Sequence, residues 1–323
     1  MAQLAGVIYT SHAWVDRPWP EWKVEREIRH LRPDVPRDSD EEMAAKSLRM
    51  REASAALGDK LAELAPDLLL IFGDDQYEYF HFDNFPAISV YLGEEFTGRG
   101  GSEARRGKGH PKFATALLTG LMERGFDPAF SMAPPRNGRG MPHAVMNPLH
   151  YYDAWSIPTV PLLTNAYYAP QLSARRHLEV GRAARGVIED YPDDLRVVAI
   201  GSGGLWHTPR RDGAYLDEDF DRRGLEHLHT GEIAAWAEHF DSYAVPAGDA
   251  SQDLDRDVPE EEMRGGDHVT HLPSRGGPQA GTRETCNWIA AAGTTDGHGA
   301  VIVDYVPLYA APIGVGFAYC DDF

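Results

Sequence analysis

Short, wholly apolar runs separated by helical stretches constrain this chain most. Residues 67–72 read DLLLIF with no polar alternation, as expected for a strand covered on both faces. Comparable runs at 4–9, 86–92, 158–164, 195–200, 299–308 and 313–319 predict further strands. Between them, Ser39-Asp40-Glu41-Glu42 has the spacing of a capping box and opens a helix expected to reach Leu64. Pro111 opens a second helix, ending near Arg124, and residues 173–191 form an amphipathic third before Pro192. Strands alternating with helices predict an α/β fold: one three-layer α/β/α domain around a central mixed sheet, with its active site at the strand ends. No linker or repeat divides residues 1–323. The charge-rich stretch 212–277 reads as a helical and loop insertion placed as a lid over one end of the sheet.

Composition narrows the partners. Lys+Arg number 31 against 50 Asp+Glu, a formal net charge of −19, which disfavours nucleic acid and anionic membrane surfaces. No apolar run approaches the roughly 18 residues that span a bilayer. The N-terminal residues lack a basic segment followed by an apolar one, so no signal peptide is expected. Two cysteines, Cys286 and Cys320, cannot make a disulfide framework, and a reduced cytoplasmic protein is the default expectation.

Polar residues that could carry chemistry collect after the strands. His12 follows the first, Asp74-Asp75-Gln76 the second, and His207 follows the Gly201-Ser202-Gly203-Gly204 run. His143 lies beyond a loop containing Arg136 and Arg139, which could clamp a substrate carboxylate. Glu284 starts a late helix, where the helix dipole alone would explain it. Asp74-Asp75 reads as a turn. His268 and His271, three apart, are a weak metal pair, and no zinc-finger, zincin or P-loop spacing is present.

In order along the chain, these pieces resemble the class III extradiol ring-cleavage dioxygenases, the family of the protocatechuate 4,5-dioxygenase catalytic subunit. The resemblance is carried by Ser11-His12, Asp75-Gln76-Tyr77, Lys108-Gly109-His110-Pro111, His143 with Pro148-Leu149, residues 201–207, and Glu284 with Trp288. It implies an Fe(II) enzyme that opens a catecholic ring beside its diol with O₂. It implies His12, Glu284 and the residue at position 76 as metal ligands, His207 as acid/base, and His143 as a second active-site histidine. His110 is implied as second to the ligands or structural. Asp75 and Tyr77 flank the site, and Trp206, beside His207, is the expected pocket wall. Trp14, Trp19, Tyr79 and Phe80 are further aromatic candidates.

The sequence departs from the family at position 76, where glutamine stands for the second histidine ligand. An amide oxygen is a weaker ligand than imidazole. Gln76 ligates through oxygen, or Asp75 or His81 replaces it, or the metal is lost and the chain is a binding protein. A metal-dependent hydrolase is a third class. A homo-oligomer without a separate small subunit is expected from the built-in insertion.

Overall fold

The computed structural model describes residues 1–13, 15–21, 31–101, 103–133, 140–166, 168, 170–207, 213–244, 276–278 and 280–323. Trp14, Arg136, Arg139, His268 and His271 lie outside them. Ten strands are described: β1 (Gln3–Thr10), β2 (Leu68–Asp74), β3 (Ile88–Tyr91), β4 (Glu95–Gly100), β5 (Glu103–Lys108), β6 (Ala129–Ser131), β7 (Thr159–Thr164), β8 (Arg196–Ser202), β9 (Val301–Leu308) and β10 (Ile313–Cys320). The helices are α1 (Asp40–Leu64), α2 (Pro111–Glu123), α3 (His143–Tyr151), α4 (Ala174–Asp190), α5 (Glu218–Thr230), α6 (Ile233–Ser242) and α7 (Thr285–Ala292).

Eight strands form one sheet in the order β6-β3-β7-β2-β8-β1-β10-β9, and β4 and β5 make a separate hairpin. The central β7, β2, β8 and β1 run parallel. β3 and β10 pair antiparallel to β7 and β1, so the sheet is mixed. Strand β2 shows why an unbroken apolar run suits the middle of such a sheet. Leu68, Leu70 and Phe72 enter one core, with residues of α2, α4 and α7, while Leu69 and Ile71 enter the other, with α1 and α3.

The capping box of α1 forms as expected: the Glu42 amide donates to Ser39 Oγ at 3.2 Å, and the Ser39 amide to Glu42 Oε2 at 2.7 Å. His110 caps α2, its Nδ1 accepting the Phe113 amide at 3.1 Å. The described part of the expected lid folds as α5 and α6. Phe220, Trp236 and Phe240 from these helices are buried in the core shared with α4 and α7, so this part is packed body and not cover. Residues 245–275 lie outside the described set.

One buried carboxylate in this layer sets a pH dependence. Asp221, on α5, accepts the Trp206 amide and the Tyr305 hydroxyl, each at 2.8 Å. Burial pushes its pKa up to about 7 from 3.8. The folded chain therefore keeps a proton that the unfolded chain releases near pH 4. Its contribution is fully present below that pH and is lost as the pH rises through about 7, on the order of 4 kcal/mol in all. Asp221→Asn keeps an acceptor for Trp206 and removes the charge. Urea midpoints of the wild type should fall relative to this variant between pH 5 and 8; parallel curves would refute the assignment.

Candidate metal centre

The carboxyl ends of the parallel strands deliver the polar residues to one place. His12 follows β1, Asp74 ends β2, Ser202 ends β8, and Glu284 begins α7. His12 Nε2 lies 3.1 Å from Glu284 Oε2, and His207 Nε2 lies 3.2 Å from Glu284 Oε1. His143 Nε2 is 3.1 Å from His12 Nε2. The four residues that sequence order alone connected thus meet around one buried carboxylate.

Glu284 is 1 % exposed. Burial opposes its charge, but His207 and His12 outweigh this and hold its pKa well below the usual carboxylate range. The Gly204 amide also donates to Oε2 at 2.6 Å. His12 is shifted the other way: burial lowers its pKa, although Glu284 raises it. Its Nδ1 lies 3.1 Å from Ser202 Oγ, which can accept the Nδ1 proton and leave an Nε2 lone pair toward the cluster.

Helix α3 fixes His12 from the other side. His143, Asn147 and Tyr151 are four residues apart and share one helical face. Asn147 Nδ2 and Tyr151 Oη donate to the His12 carbonyl at 2.8 and 2.7 Å. Glu78 Oε2 accepts both the His143 amide at 3.0 Å and its Nδ1 proton at 2.6 Å. Burial disfavours a charged His143, but the Glu78 carboxylate outweighs it and pushes the pKa up to about 10. Asn147, Tyr151 and Glu78 were missed in the sequence, although the 143/147/151 spacing was a readable signal.

The turn after β2 departs from expectation. Asp75 faces away from the cluster, its two oxygens accepting the amides of Glu78, Tyr79 and Phe80 at 3.2, 2.8 and 2.7 Å. It shapes the turn that presents Gln76 and Glu78. Gln76 donates its amide nitrogen to Glu284 Oε1. His81 packs its ring edge against Tyr77 and does not replace the missing histidine. Tyr77 adopts φ 65° and, with Tyr168, Phe82 and Phe85, forms a small aromatic cluster beside the turn.

His110 takes the structural one of its two expected places: it caps α2, its ring satisfying a free helix amide, and it does not stand among these residues. One further expectation is corrected. Trp206 is fully buried against Tyr215, Phe220 and Tyr243, with Nε1 donating to the Tyr215 carbonyl, so among the described residues it packs in the core.

The residue that the turn reading of Asp74-Asp75 undervalued is Asp74. It is 1 % exposed, Asn287 Nδ2 donates to Oδ1 at 2.9 Å, and among the described residues Oδ2 has no hydrogen-bond partner. Burial and then the charge of Glu284 push its pKa well up. Among the described residues, His12, Asp74 and Glu284 each bring one donor atom to within 4.8 Å of the others. An imidazole, a low-pKa carboxylate and an orphaned buried carboxylate oxygen suit a divalent cation.

The glycine run before His207 has a steric role. A Cβ on Gly203 would lie 2.5 Å from the Glu284 carbonyl oxygen and 2.8 Å from its Cβ. The strand end must be bare for the start of α7 to approach. Gly203→Ala should destabilise the fold by roughly 1–3 kcal/mol through overpacking. Gly58, inside α1, has only Tyr152 Cδ1 at 3.6 Å, so Gly58→Ala should stabilise by about 0.5–1 kcal/mol. Thermal melts of both variants check the contrast; a neutral Gly203→Ala would contradict the close packing.

An α/β protein with a histidine–carboxylate cluster at the strand ends is the class that this fold and site define. The chain belongs to the family described as the catalytic LigB subunit of aromatic ring-opening dioxygenase, which matches residues 37–306. It is 30 % identical over 159 residues to a 2,3-dihydroxyphenylpropionate/2,3-dihydroxicinnamic acid 1,2-dioxygenase of Mycobacterium sp. (strain MCS), covering 49 % of each chain. It is also 30 % identical over 120 residues to a gallate dioxygenase of Pseudomonas putida, covering 34 % of this chain and 35 % of that one. The chain thus spans about half the length of the first of these relatives. A crystal structure of an uncharacterized protein from Escherichia coli K12 shares the fold, with a TM-score of 0.50 and 13 % identity over 98 % of this chain and 99 % of that one. No helix of the described residues is long and apolar enough to cross a membrane.

Proposed function

We propose that this protein is an Fe(II)-dependent dioxygenase that opens a hydroxylated aromatic ring beside its diol with O₂, in cytoplasmic aromatic catabolism. The observation that carries the reading is the convergence of His12, His143 and His207 on buried Glu284. His12 and Glu284 would hold the iron. When bound, iron supplies the redox-active centre at which a catechol and O₂ meet.

The chain's own residues divide the remaining work. His207 Nδ1 lies 3.2 Å from the Leu205 carbonyl and Nε2 faces Glu284, so Nε2 is the atom placed to move a phenolic proton. His143, held cationic by Glu78, presents Nε2 to the same space and suits a phenolate oxygen.

The test is oxygen uptake by anaerobically Fe(II)-loaded protein against catechol, protocatechuate, gallate and 2,3-dihydroxyphenylpropionate. One diol should consume one equivalent of O₂ and give a yellow ring-opened product. Iron-loaded protein inert to every vicinal diol would remove the reading.

A further inference from the structure

We propose that Asp74 supplies the third metal-ligating group of this site, and that Gln76, where the family resemblance expects a histidine ligand, holds Glu284 in place instead. The assignment rests on the metal-dependent function proposed above.

Three observations support it. Asp74 Oδ2 is a buried carboxylate oxygen with no hydrogen-bond partner among the described residues, beside two other donors. Leaving such an oxygen dry is costly, and a cation in the cluster would satisfy it. The other oxygen is fixed: Asn287 Nδ2 donates to Asp74 Oδ1 at 2.9 Å and also to the Ser202 carbonyl at 2.9 Å, while Asn287 Oδ1 accepts from Thr164 Oγ1 at 3.2 Å. Such a braced carboxylate is the kind of support that metal ligands carry.

Gln76 is committed elsewhere. A carboxylate only accepts, so the group facing Glu284 Oε1 is the amide NH₂, and the amide oxygen is turned from that contact. His143 approaches His12, but its Nδ1 is held by Glu78, and it does not join the compact three-donor set.

The exchange changes the chemistry of the centre. One imidazole with two carboxylates is harder and more anionic than two imidazoles with one carboxylate. It shifts preference toward Mn(II) and Fe(II) and away from Cu(II) and Zn(II).

The experiment titrates the full-length protein with Mn(II), reading free Mn(II) by electron paramagnetic resonance, and counts coordinated nitrogens on the wild-type complex by pulsed methods. The wild type should bind one Mn(II) with a single imidazole nitrogen. Asp74→Asn should weaken binding more than about 100-fold, Gln76→Ala, which removes only a support of Glu284, by about tenfold, and His143→Gln by no more than about threefold. Wild-type affinity in Asp74→Asn, a larger loss in Gln76→Ala, or two imidazole nitrogens in the wild type would overturn the assignment while leaving a metal enzyme. The nitrogen count needs no variant to fold. A wild type that binds neither Mn(II) nor Fe(II) would overturn the proposed function as well.

Discussion

Glu284→Gln is expected to leave a folded protein that has lost its metal and its activity. The side chain is isosteric, and its remaining oxygen can still accept the Gly204 amide that now donates to Oε2 at 2.6 Å. The new NH₂ would meet the Gln76 amide, which can turn its oxygen to accept. Backbone packing around α7 therefore has no reason to move. What disappears is the negative charge toward which His12 and His207 point, at 3.1 and 3.2 Å. Removing a residue that merely supports a ligand typically costs 10–100-fold in affinity or activity, so removing this carboxylate should cost more than about 100-fold in both. Metal analysis after anaerobic loading, beside a melting curve and oxygen uptake with the best diol, reads the three quantities together. A Glu284→Gln protein that keeps one equivalent of iron at wild-type affinity would place the metal elsewhere.

The sheet was legible because its physics is local. Strands β1, β2, β7 and β8 are buried on both faces, so each appears as an apolar run that no surface segment would tolerate. The hairpin β4–β5 was missed for the opposite reason. It sits off the main sheet, five of the six β5 residues are exposed, and its polar, glycine-bearing sequence resembles a loop. Helix α3 was hidden by Pro148, which ordinarily ends a helix; here the helix is nine residues long and the Pro142 carbonyl accepts both the Val145 and Met146 amides at its start.

The site was legible only as a succession of short pieces. Alone, each histidine after a strand is ordinary, and nothing local says that residues 12, 143, 207 and 284 meet. Asp74 was readable in principle. Period two along β2 places it on the face of Leu70 and Phe72, which α7 covers, whereas its neighbour Asp75 turns to the backbone amides. Two adjacent aspartates after a strand look alike in sequence; only the pleat separates an inward carboxylate from a turn-former. Glu78 was invisible for a similar reason, since an acidic residue between two tyrosines reads as solvated until the Asp75 turn aims it at His143.

His207→Gln separates proton transfer from metal binding. The wild-type ring is tightly held: a Cβ on Gly281 would overlap it, and one on Gly204 would lie 2.6 Å from Nδ1. Its backbone amide donates to Thr282 Oγ1 at 3.0 Å, and Thr282 Oγ1 donates back to the His207 carbonyl at 3.2 Å. These contacts leave the ring little choice of rotamer, so Nε2 stays aimed at the cluster. Glutamine fits the slot and can still donate to Glu284, but it neither takes nor returns a proton near neutral pH. Metal content should be unchanged, and kcat should fall by about 10²–10⁴-fold, the usual worth of a positioned acid or base. The pH profile of kcat should also lose the limb set by the imidazole. A His207→Gln enzyme within a few-fold of wild type, with both limbs intact, would move the acid/base role to another group, and His143 would be the next residue to substitute.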